Sequence, residues 1–208
     1  MTTMKENESQ IVKESQSVSD TVELKSKALL ELLEGASGQA GKDKSLPTLN
    51  AVLVEGAGGY LMATATDRYR LIEGKIEVES GELTRSLISL ADIKRINALV
   101  KENKSGLVTL NRIGDLITVS VLEGSLTVTL LGGTFPPTAH LLDAVESDPI
   151  PVSSMAFNPA LFADYSKIVG KGQAVKIYFG GEGKPMRMRL TGDAVEWRAL
   201  LMPMRYTD

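Results

Sequence analysis

The chain has 208 residues, enough for one large or two small domains with real cores. Its hydrophobic content of 43% and charged content of 24% are those of an ordinary globular chain, and a net charge of -3 gives no global basic signal for nucleic acid, although a local basic surface can coexist with an acidic exterior. Cysteine is absent, which excludes disulfides, thiolate chemistry and cysteine-ligated zinc, and the single histidine, His140, cannot build a multi-histidine metal site.

Residues 1–19 are rich in Ser, Glu, Gln and Lys and read as a disordered arm. They have no apolar core, so they are neither a signal peptide nor a membrane span, and a cytoplasmic location follows by default. From Thr21 onward one order of elements recurs three times, without obvious identity between copies. In the first copy, Thr21 to Glu79, the spacing predicts a strand over Thr21–Leu24 and a helix from Ser26, as cap, through Leu33. A loop follows over Gly35–Ser45, then strands over Leu49–Glu55, Tyr60–Thr66 and Arg70–Val78, with Gly58-Gly59 as a tight hairpin turn. In the second copy, Leu83 to Val145, a strand over Thr84–Ile88 leads to a helix over Leu90–Glu102. Ser89 and Asp92 form its capping box, and strands over Leu107–Asn111, Leu116–Leu122 and Ser125–Leu131 follow. In the third, Val152 to Tyr206, Met155–Phe157 is strand-like and Asn158-Pro159 opens a helix that runs to Val169 and stops at Gly170. Strands over Ala174–Phe179, Met186–Thr191 and Val195–Met202 complete it. Such units bury one helical face against a sheet, so the fold class is α+β.

Neither glycine run is a phosphate loop. Gly180-Gly181-Glu182-Gly183-Lys184 lacks the following Ser or Thr and lies between two strands, and Gly56-Ala57-Gly58-Gly59 opens no helix. Trp197, the only tryptophan, reads as a buried strand residue rather than a base-stacking platform.

Three segments carry a family resemblance. Leu49-Asn50-Ala51-Val52-Leu53-Val54-Glu55 followed by Ala65-Thr66-Asp67-Arg68-Tyr69-Arg70-Leu71 resembles the first half of the middle domain of the bacterial β sliding clamp, where an L-N-G run precedes A-T-D-G-H-R-L. Gly133-Thr134-Phe135-Pro136 is similar to the G-x-F-P that closes that domain, and Leu200-Leu201-Met202-Pro203-Met204-Arg205 is similar to the M-P-M-R ending of the family. The resemblance covers about residues 21–206 and implies a ring with helices lining a central hole and sheets outside. It also implies a non-enzymatic processivity factor in DNA replication, needing no cofactor and no metal. Residues 20–147 would then be one clamp domain of two βαβββ units, and residues 148–208 half of another. If a full ring needs twelve units, four chains of three units close it, so a homotetramer is expected, with trimers or smaller assemblies as alternatives. The short length resembles a phage-encoded clamp more than a host one.

The resemblance also assigns sites. Sliding on duplex DNA needs sequence-independent phosphate contacts, expected from Lys25, Lys27, Lys94, Arg95, Lys101, Lys167 and Lys171 on the helical faces. The alternative is that these are ordinary solvated cations. A groove for a short peptide motif of a polymerase or clamp loader would use Leu49, Thr66, Arg70, Leu71, Pro136, Leu200, Met202, Pro203, Met204 and Arg205. Methionines suit a site that accepts several peptides, whereas Leu49, Leu71 and Leu200 are equally readable as core. Arg68-Tyr69 replaces the family's Gly-His, adding bulk and charge. His140 falls near the groove rim or on a surface loop. Two competing functions remain: a clamp-like decoy that binds such peptides without encircling DNA, and a hydrolase using carboxylates such as Asp67 and Asp164.

Overall fold

Alternating apolar and polar residues become strands, and the Leu- and Ile-rich runs of helical period become helices that cover them. The computed structural model describes residues 20–43, 45–103, 105–143, 154–181 and 183–205, so the expected arm at 1–19 lies outside the described residues. The first unit comprises β1 (Thr21–Lys25), α1 (Ser26–Ser37), β2 (Ala51–Ala57), β3 (Tyr60–Thr66) and β4 (Arg70–Glu77). After the short β5 (Ser80–Gly81), the second comprises β6 (Leu83–Ser89), α2 (Leu90–Glu102), β7 (Leu107–Ile113), β8 (Leu116–Val121) and β9 (Gly124–Thr129). Then come α3 (Ala139–Asp143), α4 (Pro159–Ala163) with a 3-10 turn over Asp164–Lys167, β10 (Lys176–Phe179), β11 (Met186–Thr191) and β12 (Glu196–Leu201).

Two antiparallel sheets result, in the orders β5-β1-β7-β8-β9 and β10-β11-β12-β4-β3-β2-β6. The first two units exchange their leading strands: β1 pairs with β7, Val22 opposite Leu110, and β6 pairs with β2, Ile88 opposite Val52. This exchange welds them into one body. Helices α1 and α2 pack against each other and against both sheets. Leu29, Leu32 and Leu33 of α1 and Ile93, Ile96 and Val100 of α2 are at most 2% exposed. Each such side chain contributes about 1.5–3 kcal/mol on burial.

The third unit joins through β12, which pairs with β4 and places Leu200 opposite Leu71. Trp197 of β12 locks this seam. Its ring fills the space above Gly35 of α1 and Gly74 of β4, where any Cβ would overlap it. Trp197 is therefore the buried strand residue that the sequence implies, at 1% exposure.

Several boundaries differ from expectation. Helix α1 continues to Ser37, because the apolar face extends to Ala36 and Gly35 is needed beneath Trp197; the loop expected from Gly35 starts later. Its N-cap is Lys25, not Ser26, whose Oγ is buried with no hydrogen-bond partner. In α2 the cap is as read, Ser89 Oγ accepting from the Asp92 N–H at 3.1 Å. Asn158 likewise caps α4 through the Ala160 N–H at 3.0 Å. That helix stops at Ala163 rather than Val169, since the chain tightens to let Tyr165 turn inward and donate to the Leu200 carbonyl at 3.0 Å. The expected strand over Met155–Phe157 reduces to one bridge, Ala156 to Met204. The two glycines of the β2–β3 hairpin have φ of +60° and +83°, as a two-residue turn of matching twist requires.

Candidate functional site

The turn from β3 to β4 is built by its own polar side chains. Asp67 Oδ1 accepts from the backbone N–H groups of Tyr69 at 3.0 Å and Arg70 at 2.8 Å, an Asx turn. Thr66 Oγ1 donates to the Arg70 carbonyl at 2.6 Å and accepts from the Arg68 N–H at 3.2 Å. Between these anchors Arg68 is held at φ +79°, a left-handed conformation that glycine adopts without strain and arginine does not. The Arg68 guanidinium points outward, 4.0 Å from Asp43 and 6.0 Å from the centroid of the Tyr69 ring. Tyr69 is 59% exposed.

Arg70 points inward. It is 6% exposed, and donates from Nε to Asp67 Oδ2 at 2.9 Å and from Nη1 to Asp164 Oδ2 at 2.7 Å. Burial opposes its charge, but the hydrogen bonds to Asp164 and Asp67 outweigh that and raise its pKa. Hydrogen bonds from Lys167 and Arg70 hold the Asp164 carboxyl below the ordinary carboxylate range. Burial pushes the Tyr165 phenol well above its ordinary range. Arg70 is thus a strut between the first and third units rather than an open groove cation. Asp67 and Asp164, the carboxylates weighed as hydrolytic groups, are both ion-paired to it.

A cleft of about 250 Å³ opens beside this turn, lined by Leu46, Leu49, Asn50, Asp67, Tyr69 and Arg70 among others. The C-terminal run is laid next to it. The Met202 N–H donates to the Tyr69 carbonyl at 2.9 Å, and the Met204 N–H donates to the Ala156 carbonyl at 2.8 Å. Met202 and Met204 are 42% and 55% exposed. Thr66, Arg70, Leu71, Leu200 and Met202 therefore meet at one end of the β4–β12 seam, with Leu49 lining the cleft there. Leu49, Leu71 and Leu200 are buried, so they form floor and core rather than open surface. Pro203 is half-buried and Arg205 exposed. Pro136 is half-buried and follows Phe135, which packs with Ala51, Leu53 and Leu87. Tyr69, the large exposed ring at the turn, is absent from the groove set read from the sequence; its signal was the departure Arg68-Tyr69 itself. His140 is exposed on α3, which is tied to β12 by the Asp143–Arg198 pair at 2.8 Å.

The cations expected on the helical face separate into groups. A cleft of about 820 Å³ between α1 and the third unit is lined by Lys27, Lys101, Lys167 and Lys171, together with Glu31, Glu34, Asp164 and Asp193. A second, of about 680 Å³ between α1 and α2, holds Lys42, Lys94 and Lys101 with Glu34. Most have acidic partners: Lys27 with Asp193 at 3.6 Å, Lys101 with Glu34 at 2.6 Å, Lys167 with Asp164 at 2.6 Å and Arg95 with Asp92 at 2.8 Å. Lys25 lies apart, in a cleft with Tyr60 and Lys75, and pairs with Glu79 at 3.6 Å. Lys94 and Lys171 make no ion pair among the described residues. Lys42, on the α1–β2 loop, joins the set and was not anticipated. No group of three or more His, Asp or Glu that could hold a metal occurs among the described residues.

Residues 23–137 match the family model described as the DNA polymerase III beta subunit, central domain. Among solved structures, the DNA polymerase III beta subunit of Thermotoga maritima aligns with a TM-score of 0.76 at 17% identity, over 90% of this chain and 66% of that one. The sliding clamp of Pseudomonas aeruginosa aligns with a TM-score of 0.73 at 16% identity, over 89% and 67% of the two chains. A sliding clamp from Bartonella birtlesii bound to griselimycin aligns with a TM-score of 0.74 at 16% identity, over 89% and 66%. The chain thus spans about two thirds of the length of these clamps and has their fold. No curated protein matches it significantly.

Proposed function

This chain belongs to the family of the DNA polymerase III beta subunit, matched through its central domain, and from that premise we propose that it is a sliding clamp that encircles duplex DNA and tethers a polymerase without catalysing a reaction. The observation that carries the reading is a cleft lined by Leu49, Asp67, Tyr69 and Arg70, with the C-terminal run Leu200 to Met204 laid beside it through the β12–β4 pairing and the Met202 N–H bond to the Tyr69 carbonyl. Tyr69 is exposed at the cleft and Leu49 is buried in its lining, while Met202 and Met204 are exposed on the adjoining C-terminal run. A cleft of mixed polarity beside exposed, adaptable methionines suits a short peptide motif carried by a polymerase or clamp loader. The clamp of Bartonella birtlesii, with the same fold, is known with griselimycin bound, which supports a ligand-taking surface on this fold.

For DNA, the helical face supplies Lys27, Lys94, Lys101, Lys167 and Lys171, with Lys42 beside them. The acidic partners of these lysines are largely solvent-exposed. Exposed pairs are worth about 0–1 kcal/mol, so a phosphate can displace the acid at little cost. Attraction of this kind is weak and sequence-independent, as sliding requires. On the 208-residue chain taken alone, with three units per chain, four copies complete a ring of twelve.

The peptide cleft is tested with a fluorescent peptide bearing a polymerase clamp-binding motif. Leu71 is a poor probe because its 4% exposure ties it to stability. Met204, at 55%, is a clean one. Met204→Asp should weaken binding at least tenfold, about 1.4 kcal/mol, with unchanged unfolding. Unchanged affinity would reject the assignment of this cleft.

A further inference from the structure

The chain shows two ways in which its units join, each of them reciprocal. In the first, two units exchange leading strands, as β1 with β7 and β6 with β2. In the second, two units lay their last strands antiparallel, as β12 with β4. The first unit uses both modes. The second unit uses only exchange, which leaves its last strand, β9, at the end of its sheet. The third uses only last-strand pairing, which leaves β10 at the end of the other. The outer side of β6 differs, being covered by its own chain: the Leu131 N–H donates to the Leu87 carbonyl at 2.8 Å and Arg112 Nη1 to the Arg85 carbonyl at 2.6 Å.

Among the described residues both edges are open, and side-chain burial marks that of the third unit. The residue before the helix N-cap is Leu24 in the first unit, 0% exposed, and Ile88 in the second, 2% exposed. In the third it is Phe157, 36% exposed and resting on Phe162 with ring centroids 5.2 Å apart. Two positions earlier, Val22 and Ser86 are 0% exposed while Met155 is only half-buried. Helices α1 and α2 are partners of each other. The edge strand β9, Gly124-Ser125-Leu126-Thr127-Val128-Thr129, carries neither charge nor proline, the usual guards of an exposed edge.

We infer that both open edges take a second copy of this chain, like meeting like: β9 pairs antiparallel with β9 of one copy, and the third unit exchanges its leading segment, Ser154–Phe157, with the third unit of another. Each contact is then a two-fold, self-complementary one. A ring built from two alternating contacts of this kind holds an even number of chains, which excludes a trimer. The count of four rests on the sliding-clamp reading above, whereas the head-to-head pairing does not.

The test reads the solution mass of the 208-residue chain and of Thr127→Pro, aimed at β9, and Phe157→Asp, aimed at the third unit. The unaltered chain should be a tetramer. Each single variant should fall to a dimer, held by the interface left intact, and the double variant to a monomer. A head-to-tail ring uses one kind of interface, so either single variant would be monomeric; that result, or a trimer or monomer for the unaltered chain, overturns the inference. Should Thr127→Pro fail to fold, cysteines placed singly at Gly124, Ser125, Leu126, Thr127, Val128 and Thr129 decide the β9 pairing, because the chain has no other cysteine. A two-fold axis brings one residue of two copies together, so at least one of these variants should form a disulfide dimer. Cross-linking at none of them refutes the pairing. Neither measurement involves DNA or peptide: a tetramer that binds neither would refute the clamp function and leave this assembly standing.

Discussion

Arg70→Met isolates the strut between the first and third units. Methionine keeps most of the side-chain volume, so the change removes the charge and its hydrogen bonds rather than opening a cavity. Two charge-assisted bonds disappear, at 2.9 Å to Asp67 and 2.7 Å to Asp164. Breaking a buried pair costs about 3–5 kcal/mol when the remaining charge is stranded. Neither carboxylate is stranded here. Asp67 keeps the N–H groups of Tyr69 and Arg70, and Asp164 is 29% exposed and keeps Lys167 at 2.6 Å. The expected loss is therefore that of two charge-assisted hydrogen bonds at about 1.5 kcal/mol each, about 3 kcal/mol in all. Trp197 is the only tryptophan and lies on β12, so its emission reports docking of the third unit. Urea unfolding followed by that emission should shift by this amount, and more than the far-ultraviolet signal of the whole chain. The acid limb supplies a second reading. The Asp164 carboxyl is held low, by Lys167 first and then Arg70, so its stabilisation is complete above the ordinary carboxylate range and is lost as pH falls through the lower native value. Arg70→Met should flatten that limb. A loss under about 1 kcal/mol, the scale of an exposed pair, with an unchanged acid limb, would refute the strut.

Arg68→Gly should stabilise the chain by about 0.5–1 kcal/mol, because glycine relieves the left-handed backbone at φ +79° while giving up only an exposed pairing with Asp43; thermal unfolding measures it, and a lower midpoint would contradict the strain. Lys94→Glu combined with Lys101→Glu should weaken DNA association and reduce its salt slope by about 0.9 for each phosphate that is no longer neutralised. Titrations at several salt concentrations read this, and an unaltered slope would move the DNA-binding surface to the cleft holding Lys27, Lys167 and Lys171.

The first two units were legible in the sequence because local pattern and tertiary packing agree there. Leu90–Glu102 and Tyr60–Thr66 form over the residues that periodicity and turn chemistry mark. The third unit was less legible for a physical reason. Its helix ends after five residues, and the apolar periodicity through Val169 yields to the inward turn of Tyr165. The groove set was readable as positions in a motif but not as roles. Burial of Leu49, Leu71 and Leu200 depends on β12 lying against β4, a pairing between residues some 130 positions apart that no local pattern encodes. The lysines of the helical face were readable as cations, while their acidic partners, such as Asp193 for Lys27, come from other units.

The cleft and the strut share one piece of backbone, and this links partner binding to the arrangement of the units. The Asp67 side chain shapes the turn that presents Tyr69 and also receives Arg70. Arg70 grips Asp164, and the neighbouring Tyr165 holds the Leu200 carbonyl beneath the run that ends in Met202 and Met204. Any displacement of the third unit against the first therefore moves the methionine run relative to the turn that lines the cleft. A peptide seated there has to bind the docked arrangement more tightly than the undocked one, and by linkage it stabilises that seam. Trp197 lies inside the seam, so peptide binding should raise the urea midpoint of its emission in the unaltered chain, and by less in Met204→Asp. A peptide that binds without moving that midpoint would show that the cleft and the seam are independent.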